Sequence, residues 1–329
     1  MGSIVLVFLF SAFVVIVAGI FLTISAETIA VRTKLGKLVV GGVLLAGATS
    51  LPELFVDLSA VRAGMPDLAV GDLLGSSIFN LLILATADLL HRGRTSFFTP
   101  TAAKHALSAC LSIVLTGIVV LGIIIREKMT WEFLGISLPL WVMLFAYGGG
   151  IRLVYVDQKF RFKRFKEMVE EEPPRFSLKV AIGIFLLCAM TLGFVAPVLA
   201  RAAGEIAEIT GLGKTFVGST LLALSTSLPE LVSTLTAVRR GSFDLAIGNI
   251  FGSNTFNMLL LIPLDFIFTG GILQSVSPEH AFTGIAVILA TAVTTMGQLY
   301  QVEPRRPFIE PDALLVMSIC LLSFYLLGM

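Results

Sequence analysis

The sequence has little charge: Lys, Arg, Asp and Glu make up only 14% of its 329 residues, against roughly a quarter in an ordinary soluble domain. A water-soluble chain of this length needs many more charged side chains to cover its surface. The 23 basic and 22 acidic residues nearly cancel, so the net charge indicates no oppositely charged partner. The composition therefore disfavours soluble enzymes, disordered proteins and nucleic-acid-binding proteins.

Cysteine is also scarce. The three cysteines, Cys110, Cys188 and Cys320, lie in apolar runs and have none of the spacings of a metal site or a disulfide framework. We expect all three to be small buried hydrophobic residues.

Apolar residues are abundant, at 56% of the chain with a mean hydropathy of +0.96. A helix that crosses a bilayer needs about 20 mostly apolar residues, and ten runs meet that requirement. They lie at about 4–24, 38–61, 68–90, 104–125, 132–154, 178–200, 214–238, 245–268, 279–299 and 311–328. The first run lacks a charged start and a cleavage site, so we interpret it as a retained span. The sequence predicts an all-α, multi-pass integral membrane protein.

The basic residues predict the orientation of the spans, because loops rich in Lys and Arg stay in the cytoplasm. With the N-terminus outside, 18 of the 23 basic residues fall on the cytoplasmic side. We therefore expect a cell-membrane protein with both termini outside and a cytoplasmic central loop at 156–177. That loop alternates basic residues with Phe, and it is either a plain linker or a segment that contacts anionic lipid headgroups.

An internal repeat divides the chain into two halves. Shifted by 177 residues, segment 41–90 matches segment 218–267 at 26 of 50 positions without a gap. Each copy occupies the second and third spans of a five-span half, and five spans is an odd number, so the halves insert in opposite senses. We predict ten transmembrane helices in two inverted five-helix repeats, at 1–155 and 178–329, joined by the loop at 156–177.

The repeated residues combine oxygen ligands with a helix breaker. Thr-Ser-Leu-Pro-Glu stands at 49–53 and again at 226–230. The hydroxyls share a helix face with the carboxylate, and each proline deprives the carbonyl four residues back of its partner. Such oxygens form a site for Na⁺ or Ca²⁺. The predicted oxygen donors are Glu53, Glu230, Thr49, Thr226, Ser50, Ser227, Ser76, Ser253, Asn80 and Asn257.

Other polar residues in the apolar runs are assigned weaker roles. Asp57 and Asp72 have Thr234 and Asn249 at the matching positions, and they either gather cations at the outer entrance or are hydrated neighbours of the site. The duplicated acids Asp67/Asp244 and Asp88/Asp265 lie near helix ends, where we expect capping or solvation. We expect His91, His105 and His280 to be solvated interface residues.

The two Thr-Ser-Leu-Pro-Glu boxes and the two Gly-Ser-x-x-Phe-Asn boxes at 75–80 and 252–257 resemble the α-repeats of the cation/Ca²⁺ exchanger superfamily, especially its prokaryotic Na⁺/Ca²⁺ exchangers. The resemblance implies a ten-helix antiporter in which Glu53 and Glu230 bind Ca²⁺ and Thr49 and Thr226 add oxygens. It also implies that a further set of residues helps to bind Na⁺. This set is Ala46, Ser50, Ser76, Ala223, Ser227 and Ser253.

One residue departs from that pattern. Prokaryotic Na⁺/Ca²⁺ exchangers often carry an acid where Asn257 stands, and the other repeat has Asn80. Only two central carboxylates remain, which neutralise one Ca²⁺ but are one charge short for three Na⁺. The sequence therefore predicts a Ca²⁺/Na⁺ antiporter working by alternating access, with a Ca²⁺/H⁺ antiporter that uses the same glutamates as the alternative.

Two other functions have little support in the sequence. An intramembrane aspartyl protease would use Asp57 and Asp72 but needs Gly-x-Gly-Asp, where the chain has Ala69-Val-Gly-Asp. A passive cation channel has no need of two inverted halves around one site. We therefore expect no enzymatic activity and no cofactor. The expected partners are Ca²⁺, Na⁺ or H⁺ and membrane lipid, with no nucleic acid; the sequence does not define an oligomeric state.

Overall fold

The computed structural model describes residues 2–90, 105–128, 131–165, 176–210, 224–299 and 311–327, and these residues are almost entirely helical. The first half contains α1 (Gly2–Thr33), α2 (Lys37–Val39), a π-helical segment (Val40–Leu45), α3 (Ala46–Thr49), α4 (Leu51–Arg62), α5 (Pro66–Leu90), α6 (Ala106–Ile124) and α7 (Leu138–Phe165). The second half contains α8 (Leu178–Ile209), α9 (Leu228–Arg239), α10 (Phe243–Ile267), α11 (Ile272–Ser275), α12 (His280–Leu299) and α13 (Pro311–Leu327).

Within the described ranges, seven helices are long and apolar enough to cross a membrane. An eighth span arises if the segment Lys37–Thr49 and the helix Leu51–Arg62, which meet at a bend of 42°, count as one broken helix. The shorter apolar helix α13 lies near the C-terminus. The prediction of an all-helical membrane protein is confirmed, and the count of ten spans in two inverted repeats stays a prediction.

The molecule has an apolar outside and a partly polar inside. Phe10, Phe145 and Phe194 are each more than 60% exposed, as expected for side chains that face lipid. Glu53, Asp57 and Glu230 are instead almost completely buried, together with several asparagines. Buried acids without lipid contact are typical of ion pathways in membrane proteins.

The two 32-residue helices α1 and α8 pack mainly against each other along one side of the bundle. The centre of the bundle is formed by α5 and α10, which are buried over most of their length. α10 runs directly against the π-helical segment and α3. The two repeat copies therefore meet at the middle of the molecule.

Glycines allow this close approach. A Cβ atom on Gly41 would lie 2.6 Å from the Leu245 carbonyl oxygen, and one on Gly252 would lie 2.5 Å from the Gly42 Cα. Such distances are too short for any side chain, so backbone touches backbone here. Gly248 likewise lies against the backbone of Leu38 and Gly42.

An ion-pair network joins the predicted cytoplasmic ends of three elements. Glu27 of α1 accepts hydrogen bonds from Lys37 at 3.0 Å and from Arg240 at 2.7 Å. Ser242 also donates to Glu27 and accepts from Lys37. The network connects α1 and α2 to the turn between α9 and α10, so both halves are held together at that end.

The duplicated acids near helix ends have defined partners. Asp265 accepts the backbone N–H of Ser137 at 2.6 Å and that of Ile272 at 2.5 Å, which confirms a capping role. Asp67 accepts the N–H of Ser277 and contacts His280 at 3.0 Å. The related Asp244 contacts the imidazole of His105 at 2.9 Å.

Several expectations about single positions are wrong. His105 is only 1% exposed and its imidazole contacts Asp244, so it is not a solvated interface residue. Cys110 lies on the exposed side of α6, whereas Cys188 and Cys320 are buried as expected. The predicted loop at 156–177 begins as helix, because α7 continues to Phe165. His91 lies outside the described residues.

Candidate ion-binding site

Each repeat copy contains a helix break immediately before its glutamate. α3 ends at Thr49 and α4 begins at Leu51, with Ser50 between them at φ −87° and ψ 5°. α9 begins at Leu228 after Ser227, which has φ −87° and ψ 10°. In both copies the proline lies in the first turn of the new helix, where its missing N–H costs nothing. The two breaks have nearly the same backbone geometry, as the repeat predicts.

The two glutamates follow these breaks and are buried at the centre. Glu53 and Glu230 are each 1% exposed and close enough for their charges to interact. Oε2 of Glu53 and both carboxylate oxygens of Glu230 have no hydrogen bond of regular geometry from any described residue. The hydroxyls of Thr49 and Ser253 nevertheless lie beside Glu230. Free carboxylate oxygens at this depth are available to a cation.

Buried hydroxyl groups from both halves lie at the centre and at the helix breaks. Thr49 Oγ1 lies 3.3 Å from Ser253 Oγ and 3.5 Å from Asn249 Oδ1, so α3 touches α10 at the centre. Ser50 and Ser227 are buried, and neither hydroxyl has a partner among the described residues. That these hydroxyls bind a cation together with Glu53 and Glu230 stays a prediction.

The asparagines connect α5 and α10. Asn80 Nδ2 donates to Asn254 Oδ1 at 3.0 Å, and Asn254 in turn donates to the Ser77 carbonyl at 3.1 Å. Asn257 Nδ2 donates to the Leu73 carbonyl at 3.3 Å. With these amide nitrogens committed, the Oδ1 atoms of Asn80 and Asn257 remain without a donor in the described part of the chain. Each offers a neutral oxygen ligand.

Three of the four remaining predicted residues lie in the described part of the chain, and all three are buried. Ala46 is fully buried, and its carbonyl already accepts bonds from Thr49 Oγ1 and the Ser50 N–H. Ser76 and Thr226 are buried, and Thr226 makes further interactions of its own. Ala223 lies outside the described residues.

Asp57 and Asp72 belong to the same charged cluster. The charges of both acids interact with that of Glu53, and the charge of Asp72 also interacts with that of Glu230. Asp57 is completely buried. Within the described ranges, however, no three His, Cys, Asp or Glu side chains lie close enough together to hold a metal ion by themselves. A cation at the centre therefore needs hydroxyl, amide or carbonyl oxygens in addition to the carboxylates.

Sequence reasoning missed three residues of the site. Asn249, Asn254 and Ser77 all make buried hydrogen bonds at the interface between the repeat copies. Asn249 and Asn254 are amides in the middle of an apolar run. Because amides are costly in a membrane helix unless they are paired, their presence alone was a signal that this helix has a polar face.

Comparison with known proteins identifies similar chains. The family model described as sodium/calcium exchanger protein matches residues 3–155 and 180–329. The inner membrane protein YrbG of Escherichia coli (strain K12) is 30% identical over 254 residues, covering 75% of each chain. The sodium/calcium exchanger MaX1 of Methanosarcina acetivorans is 26% identical over 74% of this chain and 77% of its own length.

Two further similarities bear on fold and transported ions. The Ca(2+)/H(+) antiporter ChaA of Bacillus subtilis (strain 168) is 22% identical over 78% of this chain and 77% of its own length. The solved structure of the sodium-calcium exchanger NCX_Mj soaked with 100 mM Na⁺ and 10 mM Sr²⁺ superposes with a TM-score of 0.73 at 19% identity, and the match covers 100% of both chains. At that identity the structural match establishes a shared fold.

Proposed function

This chain belongs to the sodium/calcium exchanger protein family, and from that membership we propose that it is a secondary antiporter that exchanges Ca²⁺ for Na⁺ by alternating access. The relative MaX1 is named as an exchanger and ChaA as an antiporter, and both are transporters and not enzymes. One observation carries the proposal. Two buried glutamates, one from each repeat copy, follow the helix breaks, and three of their carboxylate oxygens have no hydrogen bond of regular geometry from any described residue.

In this proposal Glu53 and Glu230 bind Ca²⁺ directly. Their two negative charges match the divalent ion, and Thr49 and Thr226 supply further oxygens. Ca²⁺ takes six to eight oxygen ligands in flexible geometry, which the mixed set around the centre can provide. Na⁺ uses a set that overlaps this one. It consists of Ala46, Ser50, Ser76, Ala223, Ser227 and Ser253, and Asn80 and Asn257 offer neutral oxygens beside it.

The proposed topology follows from the basic residues. With both termini outside, the Glu27–Lys37–Arg240 network lies at the cytoplasmic end of the bundle. The loop at 156–177 lies on the same side. Asp57 and Asp72, each one turn from the centre along its helix, then lie on the extracellular half of the path.

Proton coupling is the second candidate function. Asn257 leaves the centre with two carboxylates, and the relative ChaA is named as a Ca(2+)/H(+) antiporter. In that case Glu53 and Glu230 carry the protons in exchange for Ca²⁺. Na⁺ remains the first proposal because the serines at 50, 76, 227 and 253 are all present.

Transport by the purified protein in liposomes distinguishes Na⁺ coupling from H⁺ coupling. ⁴⁵Ca²⁺ uptake is measured with an outward Na⁺ gradient at one fixed pH, and separately with an outward H⁺ gradient in the absence of Na⁺. We expect uptake in the first condition and not in the second. Asn257→Asp should strengthen the Na⁺ dependence by restoring a third charge. Uptake driven by the pH gradient alone, in both proteins, would replace Na⁺ with H⁺ as the coupling ion.

A further inference from the structure

The helices α4 and α5 pack against each other as a hairpin. The connecting turn is residues 63–65. Positions at equal distance from the turn are expected to lie opposite each other on two antiparallel helices, and polar residues occupy two such pairs at successive helical turns. The pairs are Asp57 with Asp72 and Glu53 with Ser76.

The second repeat copy shows the same pairing by direct contact. Helices α9 and α10 form the corresponding hairpin, and the polar pair nearest its turn is Thr234 with Asn249. Asn249 Nδ2 donates a hydrogen bond to Thr234 Oγ1 at 3.2 Å. The matching positions in the first copy are Asp57 and Asp72, whose charges interact with each other. The same geometry thus holds an amide–hydroxyl pair in one copy and two acids in the other.

The chemical contrast between the two pairs is large. An amide and a hydroxyl satisfy each other, whereas ionised carboxylates only accept hydrogen bonds and repel each other. Asp57 is 0% exposed, and neither of its oxygens has a donor in the described part of the chain; the same is true of Asp72 Oδ2. Buried carboxylates in this condition must be neutralised, either by a bound cation or by a proton.

No basic side chain supplies a compensating positive charge within the described ranges. The ion pairs found there use Lys37, Arg240, His105 and His280, and their acids are Glu27, Asp244 and Asp67. The acids whose charges reach Asp57 and Asp72 are Glu53 and Glu230, which add negative charge. Asp57 and Asp72 thus have no basic partner in the described ranges, and two further acids add to their negative charge. Such a group of acids attracts cations.

We propose that Asp57 and Asp72 bind a hard metal cation between them, in a second site one helical turn from Glu53. Four carboxylate oxygens suit Na⁺ or Ca²⁺. The second repeat copy has no such site, because Thr234 and Asn249 are hydrogen-bonded to each other. The inference rests on the proposed exchange function, in which this site passes ions to and from the centre on one side only. The two aspartates of this site supply negative charge that Asn80 and Asn257 do not provide.

The test measures equilibrium binding of ²²Na⁺ and ⁴⁵Ca²⁺ to the purified full-length protein. The central site is first disabled with Glu53→Gln/Glu230→Gln, and we expect this variant to retain about one bound cation per chain. Adding Asp57→Thr/Asp72→Asn, which copies the self-satisfied pair of the second repeat, should remove that cation. Retention of either isotope supports the site, and the isotope retained identifies its occupant.

A matched control removes two acids elsewhere. Glu205→Gln/Glu208→Gln on the exposed side of α8 should leave the residual binding intact. The proposal is overturned if the centrally disabled protein binds neither isotope, or if binding survives Asp57→Thr/Asp72→Asn. Should the centrally disabled variant fail to fold, Asp57→Thr/Asp72→Asn alone is compared with the unmodified protein. It must then bind one cation fewer, and equal binding refutes the site.

This test is independent of the proposed function. Normal Ca²⁺ uptake by the Glu53→Gln/Glu230→Gln protein in liposomes would refute the central site. Residual cation binding by this variant in detergent reports only on Asp57 and Asp72. A failure of the proposed second site is therefore distinguished from a failure of the central site.

Discussion

Glu53→Gln tests the central site most directly. The change keeps the shape of the side chain and removes one of the two charges that face the bound Ca²⁺. Glu53 is 1% exposed and its Oε2 has no donor among the described residues, so neither water nor a neighbouring side chain compensates for the loss. Breaking a buried charge pair by removing one partner costs about 3–5 kcal/mol.

That energy corresponds to a weakening of Ca²⁺ binding by roughly two to nearly four orders of magnitude. ⁴⁵Ca²⁺ uptake into liposomes at a fixed Na⁺ gradient should therefore fall to background at concentrations that saturate the unmodified protein. Glu230→Gln should behave alike, because Glu230 is equally buried. Glu205→Gln, the same chemical change on the exposed side of α8, should transport normally.

Folding is checked separately, by thermal unfolding and gel filtration of each purified variant. We expect Glu53→Gln to be folded, since a neutral amide is easier to bury than a carboxylate without a partner. If both glutamine variants are folded and transport Ca²⁺ at the normal rate, the assignment of the centre is wrong.

The remaining predictions concern topology and stability. Single cysteines introduced at 156–176 should react with a membrane-impermeant thiol reagent only from the cytoplasmic side, and a cysteine at the C-terminus only from outside; labelling of the loop from outside would invert the proposed orientation. Gly252→Ala should destabilise the folded protein by about 1–3 kcal/mol, because its Cβ would lie 2.5 Å from the Gly42 Cα; an unchanged unfolding temperature would contradict that contact. Asp265→Asn leaves one acceptor oxygen for two buried N–H groups and should cost about 1–3 kcal/mol, with the half-saturating Ca²⁺ concentration unchanged. A shift in that concentration instead of in stability would place Asp265 on the ion path.

Sequence alone determined the class of protein and predicted where two of its helices break. Low charge and ten apolar runs indicate a membrane protein because the backbone and side chains must suit lipid. The repeated Pro-Glu step predicts a broken helix with a carboxylate beside the break, because proline cannot donate to the preceding turn. The structure has those breaks at Ser50 and Ser227. Local chemistry sufficed for these features since each depends on residues a few positions apart.

Tertiary structure decided which distant groups meet. His105 and Asp244 are 139 positions apart and contact each other, and no spacing in the sequence indicates that contact. Periodicity also did not show that Asp57 is completely buried and that its charge interacts with that of Asp72. Both features depend on how α4 and α5 fold against each other and on what α10 covers. Burial is a property of the packed molecule, and it turns two acids of unassigned role into a proposed second ion site.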